Sequence, residues 1–163
     1  MKEIKLTIDG KEVQLTEEQL KVLGIVVKEN PFKRVNKNES YCFITGRNDV
    51  AYYHEMEDKN DQSLYDAINY FNDGRLAEQV ALHQLLYRKL LKFSYENDCE
   101  DVEWNSKHAH WFIYYNTNTG KCYVGGNDTF KNQCAYFSTR QCAKRAIEEV
   151  VEPFMKEHPD FVW

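Results

Sequence analysis

Five cysteines and five histidines are the side chains of this 163-residue chain that could bind a metal ion or act as nucleophiles. His108 and His110 are two positions apart, so on a strand both rings would lie on one face of a sheet. A cysteine on a neighbouring strand could then complete a tetrahedral zinc site. The candidates for that role are Cys122, Cys134 and Cys142. Because these spacings match no zinc finger or ribbon, buried free thiols are the favoured interpretation and no metal is predicted.

Other motifs for catalysis or ligand binding are incomplete. The segment with Asp58, Asn60 and Asp66 lacks the glycine and the final glutamate of a calcium loop, so it is interpreted as a solvated loop. Gly120-Lys121 lacks the first glycine of a phosphate-binding loop, which leaves a hairpin turn. No cysteine has the local signature of a nucleophile. No catalytic residue and no cofactor is predicted; an enzymatic role is left open, although nothing in the sequence argues for one.

Charge is unevenly distributed along the chain, whose formal net charge is −5. This net charge disfavours a general nucleic-acid binder. The segment ENDCEDVE holds five carboxylates and no base. It predicts either a solvated loop or a surface for a basic protein partner, on which carboxylates would take the place of nucleic-acid phosphates. The candidate partner-binding residues are Glu96, Asp98, Glu100, Asp101 and Glu103.

Aromatic residues are abundant, with three tryptophans, eleven tyrosines and nine phenylalanines. On the expected strands they occupy alternate positions, so one set faces the helices and the other faces outward. Outward rings could stack on the bases of single-stranded nucleic acid, although a sheet packed on both faces would give the same pattern. A nucleotide-binding protein is a further hypothesis, with basic residues meeting phosphate at helix N-termini. Its candidate ligand-binding residues are Arg75, Arg140, Tyr52 and Tyr115.

The elements that would position these residues begin with a hairpin and a helix in residues 1–30. Alternating apolar residues flank Asp9-Gly10, which is a strong hairpin-turn signal. Thr16 and Gln19 have the spacing of a capping box for a helix that is expected to reach about Lys28.

Two related β-β-α units are predicted next, over residues 31–95 and 104–156. In each unit a hairpin and a polar stretch lead to a Tyr-Phe pair and then to a helix. The hairpin aromatics lie 28 positions before Tyr70-Phe71 and 25 positions before Tyr136-Phe137, which indicates an internal duplication.

The helices of the two units have recognisable beginnings. Asn72 or Asp73 is the expected N-cap of the first helix, which should reach about Phe93. Ser138 is the expected cap of the second, which should reach about Val151. The first helix has an apolar arc broad enough for burial on two sides, within the chain or in a homodimer.

The fold is therefore predicted to be α+β: two related β-β-α units plus an N-terminal β-hairpin and helix in one compact domain. The sequence shows no export signal and no apolar segment of membrane-spanning length. A cytoplasmic location with reduced thiols and no membrane association is expected.

Five segments taken together resemble an uncharacterised family of small proteins from phages and prophages of Gram-positive bacteria. They are ENPFKRV, YCFI, LYDAINYFNDGRLAEQVALHQLLYRKLLKF, VEWNSKHAHWFIYYN and YFSTRQCAKRAIEEVVEPFMKEHPDF. The resemblance covers nearly the whole chain and brings no catalytic residue with it. It implies a small accessory protein, and such proteins often inhibit host defence, as anti-CRISPR proteins do. The leading hypothesis is a non-enzymatic inhibitor that binds a host defence protein; the alternatives are a protein that sequesters a nucleotide signal and a single-strand nucleic-acid binder.

Overall fold

A computed structural model of the chain describes residues 5–8, 11–24, 30–101, 104–105 and 107–163. Helices and antiparallel sheets together make an α+β fold, as predicted. In the described part of the chain, no helix combines the length and the apolar composition needed to cross a bilayer.

The N-terminal hairpin and capping box are present. Strands β1 (Lys5–Ile8) and β2 (Lys11–Gln14) pair antiparallel; the predicted turn residues between them lie outside the described residues. The Thr16 amide donates to Gln19 Oε1 at 2.9 Å, and the Gln19 amide donates to Thr16 Oγ1 at 3.3 Å. Helix α1 (Glu17–Val22) ends earlier than predicted, because Gly24 follows in the left-handed region with φ of 69°.

The first unit contains a helix that the sequence analysis did not predict. Strands β3 (Ser40–Ile44) and β4 (Val50–His54) form the predicted hairpin, and α3 (Gly74–Glu96) is the predicted long helix. The polar stretch between them, interpreted as a solvated loop, instead forms α2 (Lys59–Asp66). Asp58 caps this helix.

The second unit contains a three-stranded sheet and a longer helical segment than predicted. Strand β5 (His110–Asn116) lies between β6 (Lys121–Asn127) and β7 (Tyr136–Phe137). Helix α4 (Arg140–Ala146) continues through a π-helical turn (Ile147–Val151) into α5 (Glu152–Glu157).

Two details of this helical segment correct the prediction. The N-cap is Thr139 rather than Ser138, since Thr139 Oγ1 accepts the Cys142 amide at 3.1 Å. The helical segment passes the predicted end at Val151 and reaches Glu157. Pro153 lacks the amide that would bond to the carbonyl of Glu149, and the π-helical turn before it accommodates this loss.

The two Tyr-Phe pairs occupy similar corners. Phe71 pairs antiparallel with Cys42 of β3, and Phe137 pairs antiparallel with Trp111 of β5. In each unit the pair therefore adds to the first strand of the hairpin.

The helices that follow these corners also begin alike. The N-caps Asp73 and Thr139 each come two residues after the phenylalanine. Four residues after each cap is a fully buried alanine, Ala77 or Ala143. However, α2 belongs to the first unit alone among the described elements. The duplication stays a prediction, because matching corners do not establish that the whole units superpose.

Helix α3 packs in both hydrophobic cores. Its beginning, with Ala77 and Val80, packs on Cys42 and Phe71 in the first core. Its later part supplies Leu86, Leu90 and Phe93 to the second core, which also contains Ile113, Phe137 and Phe154. The broad apolar arc of α3 is therefore used within the chain, and a homodimer stays a prediction.

A disulfide joins Cys99, just after α3, to Cys142 in α4, with Cα atoms 5.7 Å apart. The expectation of reduced thiols is wrong for these two residues, and Cys142 is not available as a zinc ligand. The pairing depends on α3 and α4 packing together across a sequence separation of 43, which no local spacing reveals. The other three cysteines, Cys42, Cys122 and Cys134, are free.

We expect Phe71→Ala and Phe137→Ala each to lower the free energy of unfolding by roughly 3–5 kcal/mol, the usual cost of truncating a core aromatic. Both side chains are buried, at 2% and 0% exposure. Urea unfolding measures the change. Phe130→Ala is the matched control, since Phe130 is 71% exposed and should change stability by about 0.5 kcal/mol or less. If both variants had urea unfolding midpoints close to that of the wild-type chain, the two rings would not stabilise the cores.

We also expect reduction of the disulfide to lower the free energy of unfolding by roughly 3–4 kcal/mol, because it releases a long closed loop in the unfolded chain. Guanidinium unfolding with and without reductant measures this. The Cys122→Ser variant should show the same reductant-dependent shift, and the Cys142→Ser variant should show none. If the wild-type chain had the same guanidinium unfolding midpoint with and without reductant, the disulfide would not contribute to stability.

Candidate functional site

The described part of the acidic segment, residues 96–101, ends helix α3 and makes a single β-bridge to β7. Asn97 Nδ2 donates to the Phe93 carbonyl at 2.9 Å, and Asp98 takes the left-handed conformation with φ of 49°. The Cys99 amide then returns to the Ser94 carbonyl at 2.8 Å, which closes the helix end. Several polar residues of this segment are therefore explained by the way helix α3 ends.

The carboxylates predicted to bind a partner have different environments. Glu96 is exposed and pairs with Lys92 at 3.5 Å, and Asp98 is exposed. Glu100 forms an isolated β-bridge with Phe137, and one of its oxygens is buried without a hydrogen-bond donor among the described residues. The Asp101 side chain is only 5% exposed. Glu103 lies outside the described residues, so the four described carboxylates do not form one exposed patch; partner binding by them stays a prediction.

Asp101 instead forms a buried ion pair with His110 of β5. Its carboxylate faces His110 Nδ1, and His110 Nε2 donates to the Asn105 carbonyl at 2.8 Å. Burial lowers the pKa of His110, but hydrogen bonds to Asn105 and Asp101 outweigh this and raise its pKa above the usual value. The Trp104 ring stacks on the imidazole with centroids 3.8 Å apart. The His110 imidazole is therefore held between a carboxylate, a carbonyl and an indole.

The residues considered for a zinc site are only partly brought together. Asp101, His108 and His110 place one ligand atom each within 4.8 Å of one another, and the candidate cysteines do not belong to this group. Asp101 was not among those candidates, because it reaches His110 only through the bridge between Glu100 and Phe137 of the folded chain. Burial raises the pKa of the Cys122 thiol to about 11, so this thiol is a poor nucleophile at neutral pH.

The outer side of the three-stranded sheet carries a row of aromatic rings, which we call the aromatic face. On β5, Trp111 and Ile113 pack toward the core, so Phe112 and Tyr114 lie on the opposite side. The aromatic face consists of Trp104, Phe112, Tyr114, Tyr123 and Tyr136. Neighbouring ring centroids along it are 4.7, 5.9, 6.4 and 6.0 Å apart, from Trp104 to Tyr136, Phe112, Tyr114 and Tyr123 in turn.

A glycine makes room for one of these rings. Gly125 pairs directly with Phe112 across the strands. A Cβ atom on Gly125 would lie 2.7 Å from Phe112 Cζ, so the ring occupies the space of the missing side chain. Tyr114 and Tyr123 are 42% and 38% exposed. The aromatic face is therefore exposed at this end and half-buried at the other three rings.

The hairpin of the first unit has a contrasting face. Tyr41 stacks on Tyr70 with centroids 4.0 Å apart, and both rings are buried. The Tyr41 hydroxyl donates to Asp61 of α2 at 2.7 Å, and Tyr65 of the same helix meets the edge of Tyr70. Helix α2 thus covers these rings, which makes them part of the structure rather than a binding surface.

A second buried polar cluster surrounds Glu55. Arg34 donates to both carboxylate oxygens at 2.9 and 3.0 Å, and the Tyr70 hydroxyl donates at 2.8 Å. The hydrogen bonds from Arg34 hold the pKa of Glu55 below its usual value against the opposing effect of burial. Burial raises the pKa of Asp61. The hydrogen bonds that its carboxylate accepts from Tyr41 and two backbone amides have the larger effect, and they leave this pKa below its usual value.

An open cleft of about 650 Å³ lies beside this cluster. Its charged groups are largely paired with one another: Arg34 with Glu55, and Lys37 with Glu57 at 3.2 Å. Asp58 also lines the cleft, but its carboxylate accepts the Asn60 and Asp61 amides at 2.8 and 2.9 Å as the α2 cap. The predicted calcium-loop candidate is therefore a helix cap.

Of the four residues predicted to bind a nucleotide, only Arg75 and Tyr52 lie near one helix N-terminus, that of α3. Arg75 lies in the first turn of α3, and Tyr52 Oη occupies the space beside Gly74, 2.2 Å from where a Cβ would be. Arg140 begins α4, but Tyr115 stacks on Trp163 with centroids 6.2 Å apart. Nucleotide binding by these residues stays a prediction.

Comparison of the chain with protein-family models, curated proteins and solved structures gives no match. The relation to phage and prophage proteins therefore stays a prediction from the sequence.

The Glu55 cluster predicts a pH-dependent contribution to stability. Because the pKa of Glu55 is lowered in the folded chain, its stabilisation is complete above the unfolded value of about 4.3 and is lost as pH falls through the folded value. Glu55→Gln should cost roughly 3 kcal/mol at neutral pH, since it leaves Arg34 without its buried partner.

Urea unfolding between pH 7 and pH 3 tests this prediction. The Glu55→Gln variant should show a shallower loss of stability on acidification than the wild-type chain. Glu57→Gln is the control, because Glu57 and Lys37 form an exposed pair worth about 0.5 kcal/mol. Parallel pH profiles for the wild-type chain and Glu55→Gln would rule out the contribution of Glu55.

Proposed function

We propose that this chain is a binding protein whose aromatic face stacks on the bases of single-stranded nucleic acid. The observation that carries the proposal is the row of five neighbouring rings on the open side of the β6-β5-β7 sheet. Unpaired bases stack on such rings whatever their sequence, because every base has a π-face.

The shape of the aromatic face supports stacking. The Phe112 ring lies over Gly125 in the space that a side chain would fill, and it is half-buried. Tyr114 and Tyr123 are cross-strand partners whose rings lie 29° from parallel. Each stacked base contributes about 1–3 kcal/mol in single-strand binders, so two or three contacts suffice for measurable affinity.

Charges at the two ends of the aromatic face favour a polyanion. Lys131 Nζ lies 5.2 Å from the Trp104 ring centroid, and Lys121 begins β6. The nearby carboxylate of Asp101 is already paired with His110, so it adds little repulsion. The net charge of −5 opposes binding at long range, and affinity is therefore expected to depend on local contacts.

The resemblance predicts inhibition of a host defence protein, and this function is compatible with a nucleic-acid-binding surface. No contact among the described residues points to such a protein partner. The acidic segment supports it less than the sequence suggested, because Asp101 is engaged inside the chain. The aromatic face is for this reason the first surface to test.

Fluorescence anisotropy with labelled thymidine and uridine oligonucleotides tests the proposal, with the matching duplexes as competitors. The wild-type chain should bind single strands more tightly than duplexes, and binding should weaken with added salt. Tyr114→Ala should weaken binding about fivefold to 150-fold, which corresponds to the loss of one stacking contact of about 1–3 kcal/mol.

The matched control is Tyr95→Ala, which removes an exposed tyrosine of α3 that lies outside the aromatic face. This variant should bind like the wild-type chain. If the wild-type chain binds no single strand at low salt, or if Tyr114→Ala and Tyr95→Ala bind equally, the proposal is wrong.

A further inference from the structure

The geometry points to a divalent-metal site formed by Asp101, His108 and His110, with Zn²⁺ as the ion that fits its ligands. One ligand atom from each of these residues lies within 4.8 Å of the other two. The set shares only its two histidines with the zinc ligands that the sequence suggested, and it contains no cysteine. It is also independent of nucleic-acid binding by the aromatic face.

His110 is oriented as metal-binding histidines usually are. Its Nε2 donates to the Asn105 carbonyl at 2.8 Å, which directs Nδ1 toward the Asp101 carboxylate. A histidine that binds a metal through one nitrogen commonly donates its other N–H to a backbone carbonyl in this way. Stacking with Trp104, 14° from parallel, fixes the plane of the ring. The two ligand atoms therefore lie side by side inside the protein in direct hydrogen-bond contact, and they must separate to the spacing of about 3.4 Å that a bound Zn²⁺ requires.

His108 supplies the third ligand from the surface. It precedes β5, and its ring centroid lies 4.7 Å from that of His110. Ligand atoms around a tetrahedral Zn²⁺ are about 3.4 Å apart, given bonds of about 2.1 Å. The present spacing of up to 4.8 Å is wider, so one ligand must move inward by about an ångström. The exposed His108 side chain is free to do so, whereas the other two ligands are buried.

The chemistry of the ligands selects the ion. Two imidazoles and one carboxylate suit Zn²⁺ and leave a fourth position for water, whereas Mg²⁺ and Ca²⁺ prefer all-oxygen sites. On binding, the metal replaces the hydrogen between His110 Nδ1 and Asp101, and that proton passes to solvent. The ion would then lie beside Trp104, at one end of the aromatic face.

Isothermal titration of the tag-free, chelator-treated full chain with zinc chloride tests the site, without reductant so that the disulfide stays intact. One ion should bind per chain, and its binding should raise the melting temperature. Cobalt(II) provides a second measurement, because its visible absorption reports nitrogen and oxygen coordination directly.

His108→Ala should weaken zinc binding at least tenfold and leave the melting temperature of the metal-free chain unchanged, since His108 is exposed. His54→Ala removes an exposed histidine elsewhere and should bind zinc normally. Asp101→Asn should also weaken zinc binding, and its metal-free melting temperature shows whether it folds. Failure of the wild-type chain to bind one zinc ion, equal affinity in His108→Ala, or loss of binding in a Cys122→Ser, Cys134→Ser double variant would overturn the proposal.

Discussion

The packing of helix α3 on two sheets is the constraint on which the rest of this structure depends. Its 23 residues span about 35 Å, so one element can serve two cores that follow each other along its axis. The corner at Phe71 sets where the helix starts, and the disulfide at Cys99 fixes the chain just after its end. The β3-β4 and β5-β6 hairpins thus each bury one side against helices, and the two units differ in what covers the other side.

Helix α2 covers the Tyr41 end of the other side of the first hairpin, where Tyr53 stays exposed, and it brings polar groups that need hydrogen-bond partners there. Asp61 accepts the Tyr41 hydroxyl, and Glu55 is bonded to Arg34 and the Tyr70 hydroxyl. Buried carboxylates are tolerated only with such partners, so this cluster holds α2 to the sheet. The second unit has open rings at the corresponding side of its sheet. Contiguous exposed apolar surfaces usually mark binding sites, and for this reason we propose that the aromatic face binds a ligand.

Local sequence signals predicted the parts of the fold that local chemistry determines. The turns of the β3-β4 and β5-β6 hairpins, the Thr16–Gln19 capping box and the two Tyr-Phe corners all depend on contacts between residues close together in the sequence. Helix α2 was missed because its polar composition resembles a loop, although Asp58 and Asp61 have capping-box spacing. The disulfide and the Asp101–His110 pair were missed because each joins elements that meet only in the folded chain. The sequence showed that aromatic residues alternate on the expected strands, but alternation did not show which set lies exposed, and Trp104 and Tyr136 lie outside that pattern.

The acidic segment has a structural role besides the partner binding that its charge predicts. Cys99 ties the segment to α4, and Glu100 then pairs with Phe137 at the edge of the sheet. This pairing places Asp101 against His110, and His110 in turn supports the ring of Trp104 from below. Trp104 meets Tyr136 and so begins the aromatic face. The acidic segment, whose carboxylates resemble a surface for a basic partner, therefore also holds one end of the aromatic face in place. One of its carboxylates is paired with a buried histidine and is not available to a partner.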